Sequence, residues 1–95
     1  MKIYQSRLFE KKIKDFNSHQ KKSLDGIIMA IAGNPNIGQE KKGDLRRVFI
    51  YKFKLQNQLY LLAYRFPDLE TLELIMIGPH ENYYRDLKNY LKNKA

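Results

Sequence analysis

Residues 33–44, Gly-Asn-Pro-Asn-Ile-Gly-Gln-Glu-Lys-Lys-Gly-Asp, divide this chain into two segments whose apolar residues recur at different periods. Before the divide, Phe9, Ile13 and Phe16, and then Leu24, Ile27, Ile28 and Ile31, follow the spacing of a helix with one buried face. Ser6 is placed to cap a first helix that runs to about Asn17, with Lys11, Lys12 and Lys14 outward. A second helix over about 20–32 stops at Gly33, and the pair forms an antiparallel helical hairpin. After the divide the period falls to two. Phe49, Tyr51, Phe53 and Leu55 share one face of a strand over 47–55, and Val48, Ile50, Lys52 and Lys54 share the other. Gln56-Asn57-Gln58 reads as a hairpin connection to a strand at 59–66, and Pro67-Asp68 as a turn into a third strand at 71–77.

Residues 2–5 have the character of a short first strand. A final helix from about Glu81 to Asn93 would turn Tyr84, Leu87 and Leu91 inward and Lys88 and Lys92 outward. The expected architecture is α+β in a single domain over residues 1–95. A short N-terminal strand, a helical hairpin, a three-strand antiparallel meander and a C-terminal helix follow one another. The second sheet face, which carries Lys52 and Lys54, is expected to be free or covered only by the last helix.

Charge narrows the partners. Eighteen Lys and Arg stand against 10 Asp and Glu, a formal net charge of +8. That excess favours polyanions or an acidic protein. It is also uneven, because basic residues crowd 2–22 and 41–54 while Asp68, Glu70 and Glu73 form a small acidic patch. Cysteine is absent, which excludes disulfides and thiolate metal sites. No apolar run follows Met1, and no stretch nears the roughly 20 apolar residues of a membrane span. A soluble cytoplasmic protein with no membrane partner is expected. A phosphate-binding Gly-Lys-Ser/Thr loop, a His-Glu-x-x-His pair and a metal-spaced carboxylate cluster are all missing, so no cofactor or metal is expected.

The element order and three motifs resemble the RelE/ParE superfamily of bacterial type II toxins. The motifs are Tyr51-Lys52-Phe53-Lys54-Leu55, Leu59 through Phe66, and Ile77-Gly78-Pro79-His80-Glu81-Asn82-Tyr83-Tyr84-Arg85-Asp86-Leu87. RelE-like members cut mRNA in the ribosomal A site, and an antitoxin encoded beside each one neutralises it. ParE-like members share the fold and inhibit DNA gyrase instead. The resemblance implies one of these two activities, and the individual residues make the leading expectation a toxin that is a metal-independent, ribosome-dependent mRNA endoribonuclease inhibiting translation. Its implied partners are mRNA, the ribosome with its RNA, and a cognate acidic antitoxin, in a complex as large as a heterotetramer or larger. A ParE-like gyrase inhibitor and a non-catalytic RNA-binding module are the alternatives. By the resemblance, Lys52 and Lys54 match the Lys-x-Lys pair of RelE, and His80 the C-terminal arginine-or-histidine position. Tyr84 matches an aromatic four residues beyond that position. The arginine that RelE carries early in the next strand falls on Leu61, with Arg65 the nearest replacement on that face. The late RelE tyrosine falls on Asp86.

Metal-free RNA cleavage needs a base for the 2′-OH proton, an acid for the 5′-oxygen and cations for the charge on the phosphorane-like transition state. Histidine is the residue type that ordinarily titrates near neutrality, so His80 is the candidate base or acid, or else a helix-capping histidine. Lys52 and Lys54, two apart on one strand face, can flank a phosphate or form a solvated face. Arg65 can clamp the scissile phosphate through its planar fork or pair with Glu73. Tyr83 and Tyr84 diverge by about 100° on a helix, so one should enter the core while the other stacks on a base. Helical phase favours burying Tyr84, whereas its family position puts Tyr84 at the substrate, the assignment preferred here. Arg46, Arg47, Lys41 and Lys42, with Tyr83 and Arg85 near the last helix, are candidate RNA contacts that supply affinity. The N-terminal lysines read as the wet face of a helix, and His19 as structural or exposed.

Overall fold

The computed structural model describes residues 1–45 and 47–94, with Lys94 described by its backbone alone. The elements run β1 (Lys2–Gln5), α1 (Arg7–Ile13), α2 (Ser18–Gly33), β2 (Gln39–Glu40), β3 (Phe49–Leu55), β4 (Gln58–Asp68), β5 (Thr71–Pro79) and α3 (Tyr83–Lys94). Short 3-10 turns at Pro35–Ile37 and Gly43–Leu45 flank β2. The α+β reading holds. The expected three-strand meander is the centre of a five-stranded sheet in the order β1-β5-β4-β3-β2, with β1 parallel to β5 and the other pairs antiparallel.

Local chemistry explains most element ends. The Ser6 hydroxyl accepts the Phe9 N–H and donates to the Ile75 carbonyl, so one side chain both caps α1 and ties it to β5. Asn17 and Gln20 form a reciprocal capping box that starts α2 two residues before the expected position. Gly33 is the last residue of that helix rather than its stop. Asn34 is the C-cap, and Pro35 follows it. Gln56 and Asn57 both take positive φ, 51° and 67°, which turns β3 into β4 through a two-residue connection whose twist matches the strands. The next turn lies at 69–70, past Pro67-Asp68, because Asp68 still pairs with Thr71.

Both sheet faces are covered, the second by the last helix, which is one of the two arrangements expected. Phe9, Leu24, Ile28 and Ile31 of the hairpin pack on Leu62, Tyr64, Leu72, Leu74 and Ile77. On the opposite face Tyr83 and Leu87 of α3 pack on Ile50, Leu61, Ala63, Ile75 and Met76, with Leu45 and Val48 at the edge. A register shift between Ala63 and Tyr64 lets Ile75 and Met76 both turn toward α3, where strict alternation would send one to each side. The inward residues of α3 begin at Tyr83, not Tyr84. Tyr83 is 1% exposed, and its hydroxyl donates to the Met76 carbonyl at 2.7 Å.

Candidate functional site

On the α3-facing side of the sheet, Lys52, Lys54 and His80 fall in two neighbouring rows. In the first, Lys52 of β3 lies opposite Leu61 of β4, which lies opposite Gly78 of β5. In the second, Lys54 lies opposite Leu59, whose carbonyl accepts the His80 N–H at 3.1 Å. Strands stand about 4.8 Å apart, so the backbones of Lys54 and His80 are separated by roughly 10 Å, a span that a lysine and an imidazole can close over one phosphate. Lys52, Lys54 and His80 are all exposed. Their side chains make no hydrogen bond or ion pair with any described residue.

β5 and α3 position His80. Gly78 belongs to the first row, and a β-carbon added there would lie 3.6 Å from Tyr83 Cδ2, so the Tyr83 ring sits directly over that row. The His80 carbonyl accepts the Tyr83 N–H, and Asn82 turns the chain with a φ of 58°. An open recess of about 530 Å³ lies here, lined by Gln58, Leu59, Pro79, His80, Glu81 and Asn82.

Tyr84 is half-buried beside Tyr83, the two rings perpendicular with centroids 5.8 Å apart. The Lys41 ammonium lies over the Tyr84 ring, 5.2 Å from its centroid. Of the two, Tyr83 is the one enclosed in the core, and Tyr84 packs against the same cluster while keeping part of its surface exposed. The helical phase expected Tyr84, Leu87 and Leu91 inward; Leu87 is buried, Tyr84 and Leu91 are partly so, and Tyr83 joins them in the core. Burial pushes the Tyr83 phenol far above its ordinary value, which keeps it neutral, and its neighbour Tyr84 adds to that shift.

Other expected residues lie elsewhere. Arg65 does not join His80. It pairs across strands with Glu73, Nε to carboxylate 3.2 Å, and both side chains are about two-fifths exposed. It stands six residue steps along β4 from Leu59, roughly 20 Å at about 3.3 Å per step. Two further recesses meet at this pair, of about 230 and 890 Å³, the larger lined by Arg47, Phe49 and Phe66 among others. They hold the larger volume, but Lys52, Lys54 and His80 are at the opposite end of the sheet. Arg47 is exposed and carries a φ of 69°, left-handed for a non-glycine residue, in a turn that the Val48 N–H closes onto the Leu45 carbonyl. Arg85 is exposed and pairs with Asp86 at 3.3 Å. Lys42 is exposed near β2. Arg46 lies outside the described residues. Among the described residues no three metal-ligating side chains converge, and no helix is long and apolar enough to cross a membrane.

Sequence reasoning missed the placement of Lys41 on Tyr84 and the anchoring of the 35–38 turn by Tyr64. The Tyr64 hydroxyl donates to the Pro35 carbonyl and accepts the Gly38 N–H. Both contacts join distant parts of the chain, and no local pattern marks them.

The fold has close counterparts among solved toxins. A free double arginine-to-alanine mutant of the E. coli toxin RelE superposes with a TM-score of 0.70 at 16% identity, covering 96% of this chain and 95% of that one. RelE in the intact E. coli RelBE toxin–antitoxin complex gives 0.66 at 18% identity, covering 84% and 96%. Isolated E. coli RelE gives 0.63 at 18%, covering 94% and 97%. These likenesses are of fold. No curated protein matches the chain. The family model of the ParE-like toxin of type II bacterial toxin-antitoxin systems matches residues 3–88, so the chain belongs to that family and is a type II toxin of the RelE/ParE kind.

Proposed function

We propose that this toxin is a ribosome-dependent, metal-independent mRNA endoribonuclease, with His80, Lys52 and Lys54 at its centre and Tyr84 beside them. One observation carries the reading. The unpaired Lys52, Lys54 and His80 occupy adjacent rows at one end of one sheet face, whereas Arg65 and Arg85 are held in ion pairs. His80 takes the proton of a ribose 2′-OH as that oxygen attacks the adjacent phosphorus. The bond to the 5′-oxygen breaks, and that oxygen receives a proton from a neighbouring ammonium or water. The lysines hold the charge gathering on the phosphoryl oxygens in the transition state. Base stacking on Tyr84 sets the nucleotide.

In a reconstituted translation reaction with ribosome-bound mRNA, read by primer extension, the parent protein produces discrete cuts. His80→Ala lowers the cleavage rate by about 10²–10⁴-fold, the usual range for one acid–base group. If that variant arrests growth as fully as the parent, the nuclease reading fails.

A specific feature favours a second reading. Between Lys52 and Gly78 stands Leu61, fully buried, at the position where RelE carries an arginine, and the matching family model is ParE-like. A gyrase inhibitor needs no phosphate clamp there. Inhibition of DNA supercoiling with mRNA left intact selects it. Membership of a toxin family removes the non-toxin RNA-binding module. The partner we propose is an acidic, amphipathic antitoxin segment that folds on this basic surface, drawn by a net charge of +8. An adjacent reading frame whose acidic product fails to bind the toxin would refute it.

A further inference from the structure

Lys41 stands in the loop between β2 and β3, far along the chain from α3, yet its ammonium lies 5.2 Å from the centre of the Tyr84 ring. Its approach is built from three directions. The Lys41 N–H donates to the Val48 carbonyl at 2.9 Å, which fixes the loop against the start of β3. Its Nζ donates to Gln39 Oε1 at 3.2 Å, which holds the head of the side chain. Leu45 and Val48, at the end of the same loop, are buried in the cluster that Tyr83 and Leu87 also enter. Tyr84 is thus held from two sides, by the perpendicular ring of buried Tyr83 and by the cation on its face. A cation over an aromatic face is attracted by the ring quadrupole and restrains the ring plane.

We infer that Lys41 is a positioning residue for the RNA substrate, acting through Tyr84: it holds the ring plane on which a nucleobase stacks. This deepens the nuclease reading and rests on it. Lys42, exposed and without such a contact, is the ordinary electrostatic case beside it, a cation that adds affinity alone. Lys41 differs because its charge is already engaged by the ring. Its loss should slow turnover of bound mRNA more than it weakens binding, since a misplaced base costs alignment at the phosphate.

The test compares the parent with Lys41→Met, Lys41→Arg and Lys21→Met, a surface control on α2 over the opposite sheet face, in ribosome-dependent cleavage, with kcat and KM measured separately. Lys41→Met is expected to lower kcat about two- to fivefold, the range of an exposed cation–π contact, with KM nearly unchanged. Lys41→Arg recovers most of the loss, because a guanidinium also stacks on a ring, and Lys21→Met leaves kcat at the parent value. A rise in KM with kcat intact, or no recovery with arginine, overturns the inference. A second readout does not depend on activity. The ε-methylene protons of Lys41 should be shifted upfield by the Tyr84 ring current in the NMR spectrum, and return to the ordinary lysine position in Tyr84→Leu. If they already resonate there in the parent, the contact is absent and the inference fails whatever the protein cleaves. If the upfield shift is present but no mRNA is cut, the nuclease reading fails, and the substrate role assigned to Lys41 falls with it while the contact stands.

Discussion

Replacing Tyr64 by Phe isolates two hydrogen bonds that hold the 35–38 turn and, through it, β2 and the Lys41 loop. Tyr64 is fully buried, and its ring stacks on Phe49 with centroids 5.6 Å apart, a contact that Phe preserves. The hydroxyl donates to the Pro35 carbonyl at 2.5 Å and accepts the Gly38 N–H at 2.9 Å. Each bond contributes about 0.5–1.5 kcal/mol net, and half-buried Pro35 and Gly38 leave water partial access to the orphaned groups, so the loss should total about 1–3 kcal/mol. For a chain of this length that corresponds to a fall in Tm of roughly 4–8 °C per kcal/mol. Urea unfolding gives the energy, and hydrogen exchange at the Gly38 amide gives the location.

The same geometry predicts a coupling. A β-carbon added at Gly38 would stand 2.5 Å from the Tyr64 hydroxyl and 3.0 Å from the nearest ring carbons. Gly38→Ala should therefore destabilise the parent more than it destabilises Tyr64→Phe, where the closest contact is gone. Strictly additive effects, with Gly38 exchange unchanged in Tyr64→Phe, would refute this account of the turn.

Two further outcomes follow from the packing. Gly26 lies inside α2, exposed, and an added β-carbon meets nothing within 4 Å. Gly26→Ala should therefore stabilise the protein by about 0.8–1 kcal/mol, and a lower Tm would refute the open-space reading. Burial raises the Tyr83 phenol far above its ordinary value of about 10, so the folded state keeps a proton that the unfolded state loses. That contribution is fully present below about pH 10 and is lost as the pH rises above it. Tyr83→Phe should flatten the fall of Tm above about pH 10, although Tyr64, also raised by burial, keeps some slope in the variant. Parallel curves for parent and variant would show that Tyr83 is not buried in this way.

The elements were legible where the chemistry is local. The shift from helical to alternating period after residues 33–44, the Ser6 cap and the Gln56-Asn57 hairpin each depend on neighbours within a few residues. The two-residue β2 was not legible, because two exposed residues, Gln39 and Glu40, carry no period and pair only because β3 offers an edge. The extent of β5 to Pro79 and the shift that turns both Ile75 and Met76 to one face also escape a pattern that assumes strict alternation.

Sequence by itself determined the α+β class, the net charge of +8, and the shared sheet face of Lys52 and Lys54. Each of these follows from composition or from a period of two. Tertiary structure decided which tyrosine enters the core, because adjacent helical positions both fit an amphipathic pattern and only the Met76 carbonyl and the space above Gly78 select Tyr83. It also decided that Arg65 meets Glu73 at one end of the sheet while His80 and Lys54 flank Leu59 at the other. That outcome depends on how β4 registers against both neighbours, a sum of long-range pairings that no short window contains.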